Sequence, residues 1–142
     1  MATNHSVMAL DVGEKRIGIA VASMAAKIAS PLTTLNNDSE TLKELKKIIK
    51  ENNIEELIIG LPRDVHGGET DQTKYVKSFA RKLKEEVDLT QHMQDESLTS
   101  VRAEEELSGR GQPFEKADVD ALAATYILED WLADKISQTE AL

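Results

Sequence analysis

An α/β fold built on a mixed sheet follows from three features of the sequence. Near the start, Met8 to Val21 reads as strand, tight turn and strand. An apolar run ends on Asp11, turns at Gly13 and returns through alternating Ile17, Ile19 and Val21. Further on, Glu56-Leu57-Ile58-Ile59-Gly60-Leu61 is the continuous apolar run expected of a parallel strand covered on both faces. Between and after these lie segments with apolar residues at helical spacing. The resulting order, β-β-β-α-β-α-β-α-α, is three antiparallel strands followed by crossovers. It predicts a five-stranded mixed sheet with helices on both faces.

Each element has its own signal. Val7 to Val12 and Arg16 to Ser23 give the first two strands, and the glycines at 13 and 18 suit a turn or a close approach to the backbone. Ala26 to Leu35 reads as a third strand, with Pro31 suiting an edge or an end. Asn36 to Ser39 is a cluster of helix-entry residues. The following helix carries Leu42, Leu45, Ile48 and Ile49 on one side, and Asn52-Asn53 stops it. After the 56–61 strand, Pro62 to Gly68 forms a loop, with Gly67-Gly68 at its bend. A second helix begins near Thr70 to Thr73 and buries Val76, Phe79, Ala80 and Leu83. Leu89 to Gln94 is a strand of poor propensity, followed at once by Asp95-Glu96-Ser97. A third helix runs from about Leu98 to Leu107, with Gly109 as its C-terminal signal, and Arg110 to Glu115 is a loop. The last helix buries Val119, Leu122, Ala123, Tyr126, Ile127 and Trp131.

One domain over 1–142 is expected, with tails at 1–6 and 137–142. The chain has 142 residues, 40% of them hydrophobic and few aromatic, which suits an aliphatic core. No run approaches the length of a membrane span, the start lacks the h-region of a signal peptide, and a cytoplasmic protein without a membrane partner is expected. The absence of cysteine excludes disulfides and thiolate metal sites. A net charge of −9 argues against general nucleic-acid binding but leaves a small site open, because local charge can oppose the average.

Acids fall where such a sheet places ligands, beyond the carboxyl ends of its strands. Asp11 ends the first strand, Asp95 or Glu96 the last, and Asp118 or Asp120 lies in the opening turn of the final helix. Magnesium and manganese take oxygen ligands and combine carboxylates with substrate phosphate. Two such ions ~4 Å apart can activate water and steady the leaving oxygen of a phosphodiester. Each acid also has a plainer role, as a turn residue or as a complement to a helix dipole worth ~0.3–1 kcal/mol. Lys15, Arg16 and Arg63 sit on loops at the same rim and are candidates to contact phosphate, with Arg102 and Arg110 behind them. His66 is a lone loop histidine, and Phe114 either stacks on a base or packs its loop onto the domain.

Four blocks together resemble one family. They are Ala9 to Val21, then Ile58-Ile59-Gly60-Leu61-Pro62 with the Gly67-Gly68 loop, Asp95-Glu96-Ser97-Leu98-Thr99, and Asp118-Val119-Asp120-Ala121. In order and spacing they resemble the YqgF family, described as Holliday-junction resolvases and as pre-16S ribosomal RNA nucleases. The resemblance implies a ribonuclease H-like fold and a divalent-metal-dependent nuclease acting on structured RNA or branched DNA, as a monomer or homodimer. It implies an acidic triad of Asp11, Glu96 and Asp120 holding one or two Mg²⁺ or Mn²⁺ ions, with Asp118 a neighbour. Ser97 stands where the family has arginine, and Glu14 where it has threonine, so both lower the positive charge near the rim. Two other readings remain: a binding module of the same fold that does not cleave, and an actin-like nucleotide-binding protein, because Asp11-Val12-Gly13 also resembles the phosphate loop of those proteins.

Overall fold

The computed structural model describes residues 5–96 and 99–140. Three strands, β1 (Ser6–Val12), β2 (Arg16–Ser23) and β3 (Ser30–Asn36), are followed by α1 (Thr41–Glu51) and β4 (Ile54–Pro62). Then come α2 (Asp71–Glu86), β5 (Thr90–Glu96), α3 (Thr99–Gly109) and α4 (Lys116–Glu140). The strands lie in the order β3-β2-β1-β4-β5. β1, β2 and β3 pair antiparallel, and β4 and β5 extend the sheet in parallel from β1. The expected mixed sheet therefore forms, with the Asp11 strand at its centre.

Some boundaries move. The third strand begins at Ser30 rather than Ala26, because the chain turns over 24–29 with Lys27 in the left-handed region (φ 56°). Ile28 there is 73% exposed, so the apolar pattern of that segment is not matched by burial. β5 runs two residues beyond Gln94, so that Asp95 and Glu96, expected just after the strand, are its last residues and pair with Leu61 and Pro62. The left-handed glycine after α3 is Gly111 (φ 72°), not Gly109. Ser6 belongs to β1, and α4 continues past Ser137 to Glu140. Other boundaries lie where the sequence placed them. Asn53 (φ 52°) ends α1, and Thr70 with Thr73 forms a reciprocal cap at the start of α2.

The two faces of the sheet are built from side chains of different size. Met8, Leu10, Ile17, Ile19, Leu57 and Ile59 pack with Leu45 and Ile48 of α1 and Val76, Ala80 and Leu83 of α2. On the opposite face the alternation presents Val7, Ala9, Ala20, Ala22 and Ile58 to Ala124, Ile127, Leu128, Trp131 and Leu132 of α4. Small residues on that floor let α4 lie low over the sheet. Its outer side is covered by α3, through Ala103 and Leu107 against Leu122 and Ala123. A helix enclosed on two sides has apolar residues around most of its circumference, as the consecutive buried residues 121–125 show.

Candidate active site

Strand alternation determines which side chains share a cleft. Asp11 continues the series Val7, Ala9 on β1, so it points to the α4 face. Gly18 falls in the same series as Ala20 and Ala22 on β2, and Gly60 follows Ile58 on β4. On β5 the series is His92, Gln94, Glu96, and the His92 ring lies against Trp131 of α4 with centroids 5.1 Å apart. Asp11 and Glu96 thus rise from one face at the carboxyl ends of β1 and β5. Asp120, in the first turns of α4, closes the cleft from above.

Gly18 fixes how near Asp120 comes. A Cβ at that position would lie 1.9 Å from the Asp120 carbonyl oxygen, so the helix backbone occupies the space a side chain would need. Thr34 on β3 donates from its hydroxyl to the Ala117 carbonyl (2.6 Å), tying the same turn of α4 to the sheet. Gly60 plays a milder part beneath Ile127, whose Cδ1 would lie 2.4 Å from an added Cβ.

The cleft encloses about 680 Å³ and is lined by Asp11, Glu14, Glu96 and Asp120 together with Lys15, Arg16 and Arg63. The acids of the implied triad and the cations Lys15, Arg16 and Arg63 therefore face one space, whereas Asp95, Asp118, Arg102 and Arg110 do not line it. Two of the cations are already engaged. Arg16 donates from Nε to Asp120 Oδ2 at 2.6 Å, and Arg63 donates from Nε to Asp95 Oδ1 at 3.2 Å. Lys15 is exposed and makes no ion pair among the described residues.

The acids repel one another. Burial, and then the negative charge of Asp120, push Asp11 from 3.8 up to about 6. Glu96 is pushed up to about 8 by burial, then by its hydrogen bond to Asp130 and the negative charge of that residue, with Arg102 opposing. Glu96 thus lines the cleft while bonded to Asp130 of α4. Among the described residues, no three acids or histidines are gathered closely enough to hold one ion in common. The donor set nevertheless suits a hard divalent cation: Asp11 and Asp120 repel one another in a cleft that Glu96 also lines, and among the described residues no histidine, cysteine or methionine lines it.

Other singled-out residues have structural partners. The Asp118 carboxylate accepts from the Glu115 N–H (2.8 Å), a helix-entry contact. Arg102 lies over the Tyr126 ring at 4.3 Å and pairs with Asp130, and Arg110 pairs with Glu106 one helical turn away. Phe114 packs against the α3–α4 core, and Trp131 is buried as expected. His66 is exposed, in a loop closed by Asp64, whose Oδ1 accepts from the N–H groups of His66 and Gly68. Ser97 lies outside the described residues.

Three contributors escaped sequence reasoning. Asn37 donates from its side chain to the Gly13 carbonyl (2.8 Å) and from its N–H to the Lys15 carbonyl (2.9 Å). Gln72 on α2 donates to the Val12 carbonyl (2.9 Å). Together they clamp the turn that carries Asp11, Lys15 and Arg16. Asp130 is the third, and the spacing Asp130/Asp134 around Trp131 is the only local hint that an acid faces β5.

Comparison with known proteins identifies the family. Residues 5–134 match the model of the RuvX family, described as Holliday junction resolvase. A Moorella thermoacetica protein named "Putative pre-16S rRNA nuclease" is 40% identical over 139 residues, covering 93% of this chain and 96% of that one. A relative of the same name from Chloroflexus aurantiacus is 38% identical over 130 residues, 89% of this chain and 85% of the other. Among solved structures, T. thermophilus RuvC in complex with a Holliday junction superposes with a TM-score of 0.58 at 13% identity, covering 94% of this chain and 97% of that one. That likeness concerns the fold, which is ribonuclease H-like. With the family model matched over almost its whole length, the chain belongs to the RuvX family, also called YqgF.

Proposed function

We propose that this protein is a divalent-metal-dependent nuclease that hydrolyses phosphodiester bonds in structured RNA, with precursor 16S ribosomal RNA the leading substrate and branched DNA the other. The observation that carries the reading is the meeting of carboxylates in one cleft: Asp11, Glu96 and Asp120 line the same space, and the charge of Asp120 acts on Asp11. A phosphodiester entering this space meets the Asp11–Asp120 pair, whose negative charge a divalent cation would offset. Family membership and the names of the relatives point to the same chemistry.

In this reading Asp11 and Asp120 hold the metal, and Glu96 completes the set from the end of β5. When bound, such an ion polarises the phosphoryl oxygen and lowers the pKa of attacking water. The chain's own residues supply the rest. Lys15 and Arg63, on loops at the rim, orient the phosphate backbone without reading sequence. Asn37 and Gln72 hold the 12–15 turn so that Asp11 and Lys15 keep their relative positions. Glu96, pushed up to about 8 by burial and by Asp130, retains a proton near neutral pH and would release it to solvent on taking up a metal.

Cleavage of a ribosomal RNA precursor and of a four-way DNA junction, each with Mg²⁺ and with EDTA, tests the proposal. Mg²⁺-dependent cleavage of the RNA is expected, and Asp11→Asn, Glu96→Gln or Asp120→Asn should each lower it about a hundredfold or more. Equal cleavage by the three variants refutes the assignment. Binding of RNA without turnover would replace it with a non-cleaving module of the same fold.

A further inference from the structure

We propose that Arg16 is a resident counter-ion of the acidic cleft, bound to Asp120 until a divalent cation displaces it, and that the displaced guanidinium becomes a phosphate ligand. The inference rests on the metal reading above and adds to it an exchange: metal uptake and the freeing of Arg16 are one event.

The geometry supports the exchange. Nε of Arg16 lies 2.6 Å from Asp120 Oδ2, a short charge-assisted hydrogen bond. Both side chains are only partly accessible, 33% for Arg16 and 19% for Asp120, so solvent screens the pair weakly. Asp120 is also the acid whose charge acts on Asp11, so Arg16 neutralises one member of a repelling pair. A cation held between Asp11 and Asp120 supplies the same neutralisation with more charge and competes for the same carboxylate. Once Asp120 is so engaged, a guanidinium beside it faces like charge and has lost its acceptor. Its position in the cleft wall puts it beside a phosphate entering that space, whose geometry a guanidinium matches with two hydrogen bonds. The turn that carries Arg16 is held from behind by Asn37 and Gln72. The side chain can therefore change partners without moving the backbone that positions Asp11.

Linkage gives the consequence. A group that must leave before the metal binds weakens metal affinity, and phosphate that captures the released group strengthens it. Arg16→Gln should therefore bind Mn²⁺ about tenfold more tightly than the wild type. Lys15→Gln, which removes a cation of the same cleft that holds no carboxylate, should change it less than about threefold.

The deciding experiment follows the ¹⁵N–¹H resonance of the Arg16 Nε group during Mg²⁺ titration of the full chain, with the backbone amides of Gly13 and Asp120 as reporters of site occupancy. Expected is a hydrogen-bonded Nε–H signal without metal that moves in step with those amides. A signal that stays put while the amides titrate overturns the exchange but leaves the metal site standing. No Mg²⁺-dependent change at the amides or at Arg16 overturns both. Equal tightening by Arg16→Gln and Lys15→Gln also overturns the exchange, since general charge then accounts for the effect.

Discussion

Replacing Gly18 by alanine tests how the cleft is assembled. The added methyl would lie 1.9 Å from the Asp120 carbonyl oxygen, 2.3 Å from its carbonyl carbon and 2.9 Å from the Ala121 nitrogen. All three are helix backbone, so no rotamer change relieves the clash and the first turns of α4 must rise. Overpacking typically costs about 1–3 kcal/mol, and a contact with main chain belongs at the upper end, near 3. For a chain of this size that lowers the melting temperature by roughly 6 °C or more. Two other glycines calibrate the effect. Gly60→Ala meets the flexible tip of Ile127 and should cost about 1 kcal/mol. Gly109→Ala meets nothing within 4 Å and should gain about 0.5 kcal/mol. Urea denaturation of the three variants, followed by Mn²⁺ titration, reads both consequences, because raising α4 also separates Asp120 from Asp11. A Gly18→Ala protein within about 0.5 kcal/mol of the wild type and with unchanged Mn²⁺ affinity would refute the reasoning.

Two further outcomes follow from charge. Asp11 ionises less readily folded than unfolded, so without metal its contribution to stability is favourable at low pH. It is lost as pH rises from about 3.8 to about 6. Asp11→Asn should remove that slope and gain up to about 3 kcal/mol at pH 7.5 in EDTA, read by denaturation at pH 4 and 7.5, while abolishing cleavage. Glu56 behaves in the opposite sense. Burial pushes its carboxyl up, but hydrogen bonds from His92 (2.9 Å) and His5 (3.2 Å) outweigh this and hold it below the usual range. Its stabilisation is present above the ordinary carboxylate pKa and disappears as pH falls through the lowered one. Glu56→Gln should cost about 1 kcal/mol near pH 6.5 and converge with the wild type in acid. Cleavage should be unaffected, since Glu56 pairs with Val7, at the opposite end of β1 from Asp11.

The sheet was legible because its signals are local. Alternation identified β2, a continuous apolar run identified β4, and both survive in the fold. Residues 26–29 misled because apolar character alone does not establish that a partner exists to cover it. Strand ends and a helix start offered Asp11, Asp95 or Glu96, and Asp118 or Asp120, and the family resemblance chose Glu96 and Asp120 among them. What each of them touches was not readable, because the contact between Arg16 and Asp120 joins residues 104 apart. Glu96's approach to Asp130 depends likewise on how α4 lies across β5. The close seating of α4 was only half visible. Glycine at 18 signalled an approach to the backbone without naming what approaches.

The acids differ in how their strands are held. β1 has hydrogen-bonded neighbours on both sides, whereas β5 is an edge with β4 alone beside it. Opening β5 therefore breaks one ladder where opening β1 would break two, and amide exchange should be faster at Gln94 than at Leu10. Asp11 belongs to an inner strand and Glu96 ends an edge strand, so the two acids are anchored by different numbers of ladders.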